Sequence, residues 1–98
     1  MKVQWTEKAR QRLREIEAYM IAEEYTPVRA SKVIFSITRK TNNQLAEYPQ
    51  SGRPGRVKNT RELFFTDSPF LVVYTAQKQT VTILSVYHTA QQYPPLET

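Results

Sequence analysis

Four cations crowd one short stretch of the chain. Arg53, Arg56, Lys58 and Arg61 fall within nine residues, and the first carboxylate after them is Glu62. Guanidinium forks grip phosphate or carboxylate through paired hydrogen bonds, so the cluster suits a contact surface for nucleic acid or an acidic protein. The same charges also suit a merely solvated loop. Arg61 has a further use: it can anchor the loop to a carboxylate or carbonyl at a sheet edge. His88 is the single histidine. Metal-free RNA cleavage needs a base for the ribose hydroxyl, an acid for the leaving oxygen and a cation for the phosphate. Arg56 and Arg61 are candidates for the cation, and His88, Tyr87 or Lys58 for the proton transfers. Residues 48 to 61 contain no carboxylate to act as base. One histidine, no cysteine and scattered acids make no metal site. No phosphate-cradling glycine loop or nucleophile elbow is present either, so no cofactor is expected.

The whole chain shares the positive bias of that stretch. Its 98 residues carry a formal charge of +5, with a pI near 9.7, and such a field attracts phosphate backbones or acidic partners. The length fits one domain, residues 1–98, with one core. No apolar run approaches the ~20 residues of a membrane span, and the start lacks an apolar secretory segment. The absence of cysteine excludes disulfides and a thiolate nucleophile. These features together predict a cytoplasmic protein.

The elements that must position the cluster are legible in the periodicity. Val3 and Trp5 alternate with Lys2 and Gln4, a half-buried strand. Thr6 then caps a helix whose apolar stripe is Ala9, Leu13, Ile16 and Met20, running to about Tyr25. Its opposite face holds Lys8, Arg12, Arg14, Glu15 and Glu23. Thr26 and Pro27 start a second helix, with a stripe of Ala30, Ile34, Ile37, Thr41, Leu45 and Tyr48, and Pro49 ends it. Tyr19, Tyr25, Phe35 and Tyr48 either wrap the seam of this helical hairpin or face a partner. Residues 49 to 60 read as a loop without strand pattern. Residues 61–66, 70–75 and 81–87 are strand-like runs joined by short connections, Asp67-Ser68-Pro69 among them, and the tail from Gln91 to Thr98 reads as irregular. Alternation through Leu84, Val86 and His88 puts those three on one face and Tyr87 on the other. The order β-α-α-β-β-β predicts an α+β domain, a helical hairpin on one face of a small, mainly antiparallel sheet. The first strand joins that sheet after the helices have crossed over, and the other face stays partly open.

Several segments together resemble the ParE/RelE superfamily of toxins from type II toxin–antitoxin pairs. Val3-x-Trp5-Thr6-Glu7-x-Ala9 with Leu13, Ile16, Tyr19 and Met20 is similar to its first strand and helix. Gly52-Arg53-Pro54-Gly55-Arg56 and Thr60-Arg61-Glu62-Leu63 resemble its Gly-Arg loop and following strand. Pro69-Phe70-x-Val72-Val73-Tyr74 resembles the next strand, and Val81-x-Ile83-Leu84-x-Val86-x-His88-x-Ala90-Gln91-x-Tyr93-Pro94 the closing segment. Asn59 departs from the pattern, standing where glycine is expected. The resemblance is closer to the ParE branch, whose members inhibit DNA gyrase by binding. That branch implies action by binding, with no bond chemistry, and the basic cluster of Arg53, Arg56, Lys58 and Arg61 is then the candidate target-binding surface. The RelE branch instead cuts messenger RNA on the ribosome, and there Arg56, Arg61 and His88 would be the catalytic candidates. Either branch implies a cognate acidic antitoxin, bound as a hetero-oligomer, with Tyr19, Tyr25, Phe35 and Tyr48 as its candidate contacts.

Overall fold

A computed structural model describes residues 1–66 and 68–89. The expected irregular tail from Gln91, the closing residues Ala90, Gln91, Tyr93 and Pro94, and Asp67 in the 67–69 connection lie outside the described residues. The elements are β1 (Lys2–Trp5), α1 (Glu7–Ala22), α2 (Pro27–Glu47), β2 (Arg53–Pro54), β3 (Arg61–Phe64), β4 (Phe70–Gln77) and β5 (Thr80–His88). They form the expected α+β architecture. The sheet runs β1-β5-β4-β3-β2. β1 lies parallel to β5, and the other pairs are antiparallel.

Both helices start as the sequence dictates. The Thr6 side chain accepts from the Ala9 backbone N–H, and the Thr26 side chain from that of Arg29. Each hydroxyl satisfies one of the donors that a first helical turn leaves without a carbonyl. The Thr6 hydroxyl also donates to the Ile83 carbonyl at 2.9 Å, which ties the start of α1 to β5. The Trp5 indole N–H donates to Asn42 Oδ1 at 2.8 Å and ties β1 to α2. The predicted stripes point inward. Ala9, Ile16 and Met20 from α1 and Ala30, Ile37 and Leu45 from α2 pack on Leu63, Phe70, Val72, Tyr74, Val81, Ile83 and Val86 of the sheet.

The structure departs from the sequence reading at five points. α1 ends at Ala22, because Glu24 turns left-handed at φ 70°. Tyr48 is not in the core stripe: it caps α2 from outside and is exposed. Arg12 is not on the charged outer face. It reaches over the sheet edge, where its Nε donates to the Val86 carbonyl at 3.1 Å and its guanidinium lies 5.3 Å from the Tyr87 ring centre. Within residues 49–60, Arg53 and Pro54 pair with Glu62 and Arg61 as a two-residue edge strand. Finally, β5 carries a bulge. Val73 pairs with Ser85 but Tyr74 pairs with Ile83, so Leu84 has no partner. An extra residue flips every later side chain. Leu84 therefore joins Leu71, Val73 and Tyr87 in a second cluster on the face away from the helices. His88 shares the face of Val86 and not that of Leu84.

Candidate functional site

The arginine stretch is a loop held from beneath by side chains of β3 and β4. Tyr74 is fully buried, and its hydroxyl donates to the Pro49 carbonyl at 2.9 Å while accepting from the Gly52 N–H at 2.8 Å. Burial pushes this phenol above its usual pKa, so the hydroxyl stays a donor. Position 52 must be glycine because of this close approach: a Cβ there would lie 2.6 Å from the Tyr74 hydroxyl and 2.9 Å from the Glu62 carbonyl oxygen. Arg61 Nη1 donates to the Gly52 carbonyl at 2.6 Å and to that of Gln50 at 3.3 Å. Its anchoring role is thus carbonyl-based. Farther along, the Thr60 N–H donates to the Val57 carbonyl at 3.2 Å, closing a turn with Asn59 at φ 67°. A turn with a left-handed third residue takes glycine or asparagine, which accounts for Asn59 standing where glycine was expected.

Glu62 is the centre of this arrangement, although the sequence marks it only by its place after a cationic run and within the Thr60-Arg61-Glu62-Leu63 segment. Its side chain is 0% exposed. Above it Arg56 donates its backbone N–H to Oε2 at 2.8 Å, Nε to Oε2 at 3.1 Å and Nη2 to Oε1 at 3.0 Å. Arg53 Nη2 adds a longer contact to Oε1 at 3.3 Å. The two arginine side chains are 44% and 60% exposed, so they roof the carboxylate and still face solvent. Burial alone would push the Glu62 carboxyl up. The hydrogen bonds from the Arg56 side chain and backbone, together with its charge, overcome burial and hold the carboxyl below the usual carboxylate range. The Arg53 guanidinium also stacks 4.3 Å over the ring of Phe64, an exposed aromatic on the same face. Lys58 is exposed on the loop.

The structure therefore brings Arg53 and Arg56 together on the sheet face away from the helices. Arg61 approaches the same loop from the other face of β3, since its pairing partner Tyr74 lies in the helix-side core. It does not bring His88 to them. His88 pairs with Phe70 and meets its ring edge-on at 5.5 Å. Phe70 and Tyr74 are four residues apart on β4, roughly 13 Å, and β5 and β3 flank β4 about 5 Å to either side. Tyr87 is buried on the opposite face from His88. His88 thus sits apart from the arginines and Tyr87 is buried in the second apolar cluster, while Lys58 is the one proton-transfer candidate that lies on the arginine loop. Beside α2, a pocket of about 120 Å³ is lined by Val33, Ser36, Ile37, Lys40, Phe65 and Ser68, well below the roughly 300 Å³ at which ligand sites begin.

The candidate partner contacts divide in two. Tyr19, Tyr25 and Phe35 are all exposed and lie toward the hairpin end, with Phe35 at 67%. Tyr48 is exposed at the other end of α2, about 20 Å from Phe35 at the helical rise. Val28 was missed. It is 64% exposed and stands seven residues before Phe35, on the same helical face as Lys32 and Arg39. That seven-residue apolar spacing opposite the core stripe was the signal available.

Comparison with known proteins adds to this geometry. The family model described as the ParE toxin of type II toxin–antitoxin systems, parDE, matches residues 3–93. A protein of Sinorhizobium fredii (strain NBRC 101917 / NGR234) named "Putative toxin Y4kP" is 44% identical over 93 residues, covering 95% of this chain and 93% of that one. Among solved structures, the chromosomal ParDE system from P. aeruginosa superposes with a TM-score of 0.79 at 24% identity, covering 90% of this chain and 95% of its own. The RelBE2 toxin–antitoxin complex from Mycobacterium tuberculosis superposes with a TM-score of 0.64 at 21% identity, covering 92% of each chain. At those identities the two structures speak to the fold.

Proposed function

The chain belongs to the ParE family of toxins of type II toxin–antitoxin systems, and from that premise we propose that it arrests growth by binding DNA gyrase through its arginine loop. It acts in the cytoplasm, makes and breaks no bond of its own, and is neutralised by an acidic antitoxin. The observation that carries this reading is the separation of the histidine from the charge: Arg53 and Arg56 are gathered over buried Glu62, while His88 packs on Phe70 in another corner of the sheet. Four cations against one carboxylate leave the loop strongly positive, as a surface for phosphate or an acidic protein requires. The antitoxin docks on the outer face of the helices, where Tyr19, Tyr25, Val28 and Phe35 offer apolar anchors beside Arg29, Lys32 and Arg39. An acidic segment that folds on docking fits this pattern of anchors and cations.

Supercoiling by purified gyrase, titrated with the purified chain, tests the target. Inhibition is expected, and alanine at Arg53 and Arg56 together should weaken it at least about tenfold, the loss of a little over 1 kcal/mol of binding. Unchanged supercoiling at large excess, with transcripts cut inside translated frames after induction, would replace this reading with the ribosome-dependent nuclease.

A further inference from the structure

We propose that Glu62 is a positioning residue for target binding: sealed beneath the loop, it sets the guanidinium groups of Arg53 and Arg56 in the orientation that the target engages. The inference rests on reading the arginine loop as the target-binding surface. Glu62 occupies a strand position beside Val73, next to the apolar cluster of Leu71, Val73 and Tyr87. Apolar side chains in place of the whole charged set, Glu62 with its arginines, would extend that cluster, and replacing a buried charge pair by apolar residues is commonly neutral or stabilising, whereas removing Glu62 alone is costly. Fold stability alone therefore gives little reason for the carboxylate and its arginines together. Geometry gives one. Both carboxylate oxygens are engaged by the Arg56 fork, and Oε2 also accepts the Arg56 backbone N–H. The carboxylate thus fixes the backbone and the side chain of one residue at once. Arg53 is held between Oε1 and the face of Phe64. Two long, rotamer-rich side chains are ordered before the target arrives, which removes part of the entropy cost of binding. Glu62 itself is fully buried, so it works through the arginines and touches nothing outside the protein.

The test compares wild type, Glu62→Gln, Arg56→Lys and the double variant by half-inhibitory concentration in the gyrase supercoiling assay, corrected for the folded fraction read from thermal melting. Glu62→Gln is expected to weaken inhibition about tenfold in the wild-type background and less than about threefold in Arg56→Lys, since lysine has no fork to orient. Equal losses in both backgrounds, or no loss in either, would overturn the proposal. Should Glu62→Gln fail to fold, the wild-type protein decides by NMR. A sharp, exchange-protected Arg56 Nε–H resonance in the free protein supports preordering, and one averaged with exposed arginines such as Arg10 overturns it. Should wild type leave supercoiling untouched, it is the gyrase reading that fails. The same four proteins are then ranked by growth arrest on induction, where the same non-additive pattern supports the role of Glu62 and equal losses overturn it.

Discussion

The hairpin connection between the helices and the arginine loop at the sheet edge are both short, irregular and close to exposed aromatics, yet they are held differently. The hairpin connection closes on backbone bonds. Tyr25 N–H donates to the Met20 carbonyl at 3.0 Å and Glu24 N–H to that of Ile21 at 3.2 Å, a Schellman ending with left-handed Glu24 where glycine is usual. The arginine loop has backbone bonds as well, Gly55 N–H to the Thr60 carbonyl and Thr60 N–H to that of Val57, but it is also braced from beneath by side chains of the sheet: Tyr74, Arg61 and Glu62. The difference teaches where each surface keeps its specificity. Around the hairpin, Tyr19, Val28 and Phe35 are largely exposed, so their replacement is expected to leave the fold intact. At the loop, Arg56 both forms part of the surface and, through Glu62, holds the loop in place.

The comparison breaks most readily at Glu62. Its replacement by alanine is expected to lower unfolding stability in urea by about 3 kcal/mol, the low end for losing one partner of a buried pair, because both arginines can rehydrate. A loss below about 1 kcal/mol would mean the carboxylate does not hold the loop. The same group sets an acid limit. Its folded pKa is lowered, so its stabilisation is fully present above the ordinary glutamate value of about 4.3 and is lost as the pH falls through the lower folded value. Stability measured against pH should therefore fall more steeply in wild type than in Glu62→Gln through that acid window, and parallel curves would contradict the assignment. Next comes Tyr74→Phe, which leaves the buried Gly52 N–H without its acceptor and should cost about 2 kcal/mol by the same urea measurement. At the hairpin the effects shrink. Glu24→Gly relieves the left-handed strain and should raise stability by about 0.5–1 kcal/mol, seen as a higher melting temperature. Phe35→Ala should stay within about 0.5 kcal/mol of wild type while weakening capture of the antitoxin, and a large stability loss would return Phe35 to the hairpin's own packing.

Much of the scaffold was legible because it is periodic. The Ala9-to-Met20 and Ala30-to-Leu45 stripes, the Thr6 and Thr26 caps and the strand runs follow from local spacing alone. What escaped depends on pairing between distant segments. Nothing in the alternation of Val81 to His88 announces that Leu84 is skipped, because a bulge is fixed by the partner strand. Arg12 lies at a charged helix position, and its reach to Val86 appears only once α1 sits along the β5 edge. The arginine cluster was visible as charge, but its geometry was not. Glu62 read as the end of the cationic run, although an acidic residue on a strand directly after four cations was the available sign that those cations share a buried partner.

The claim most worth testing is that the arginine loop injures the cell by holding a target. Arg53→Gln with Lys58→Gln removes two loop charges and leaves Tyr74, Arg61 and the Arg56–Glu62 fork in place. Growth after induction in a bacterium lacking the antitoxin is the direct readout. Continued growth, with a melting curve like that of wild type, is the predicted result. Arrest as complete as that caused by wild type would contradict it.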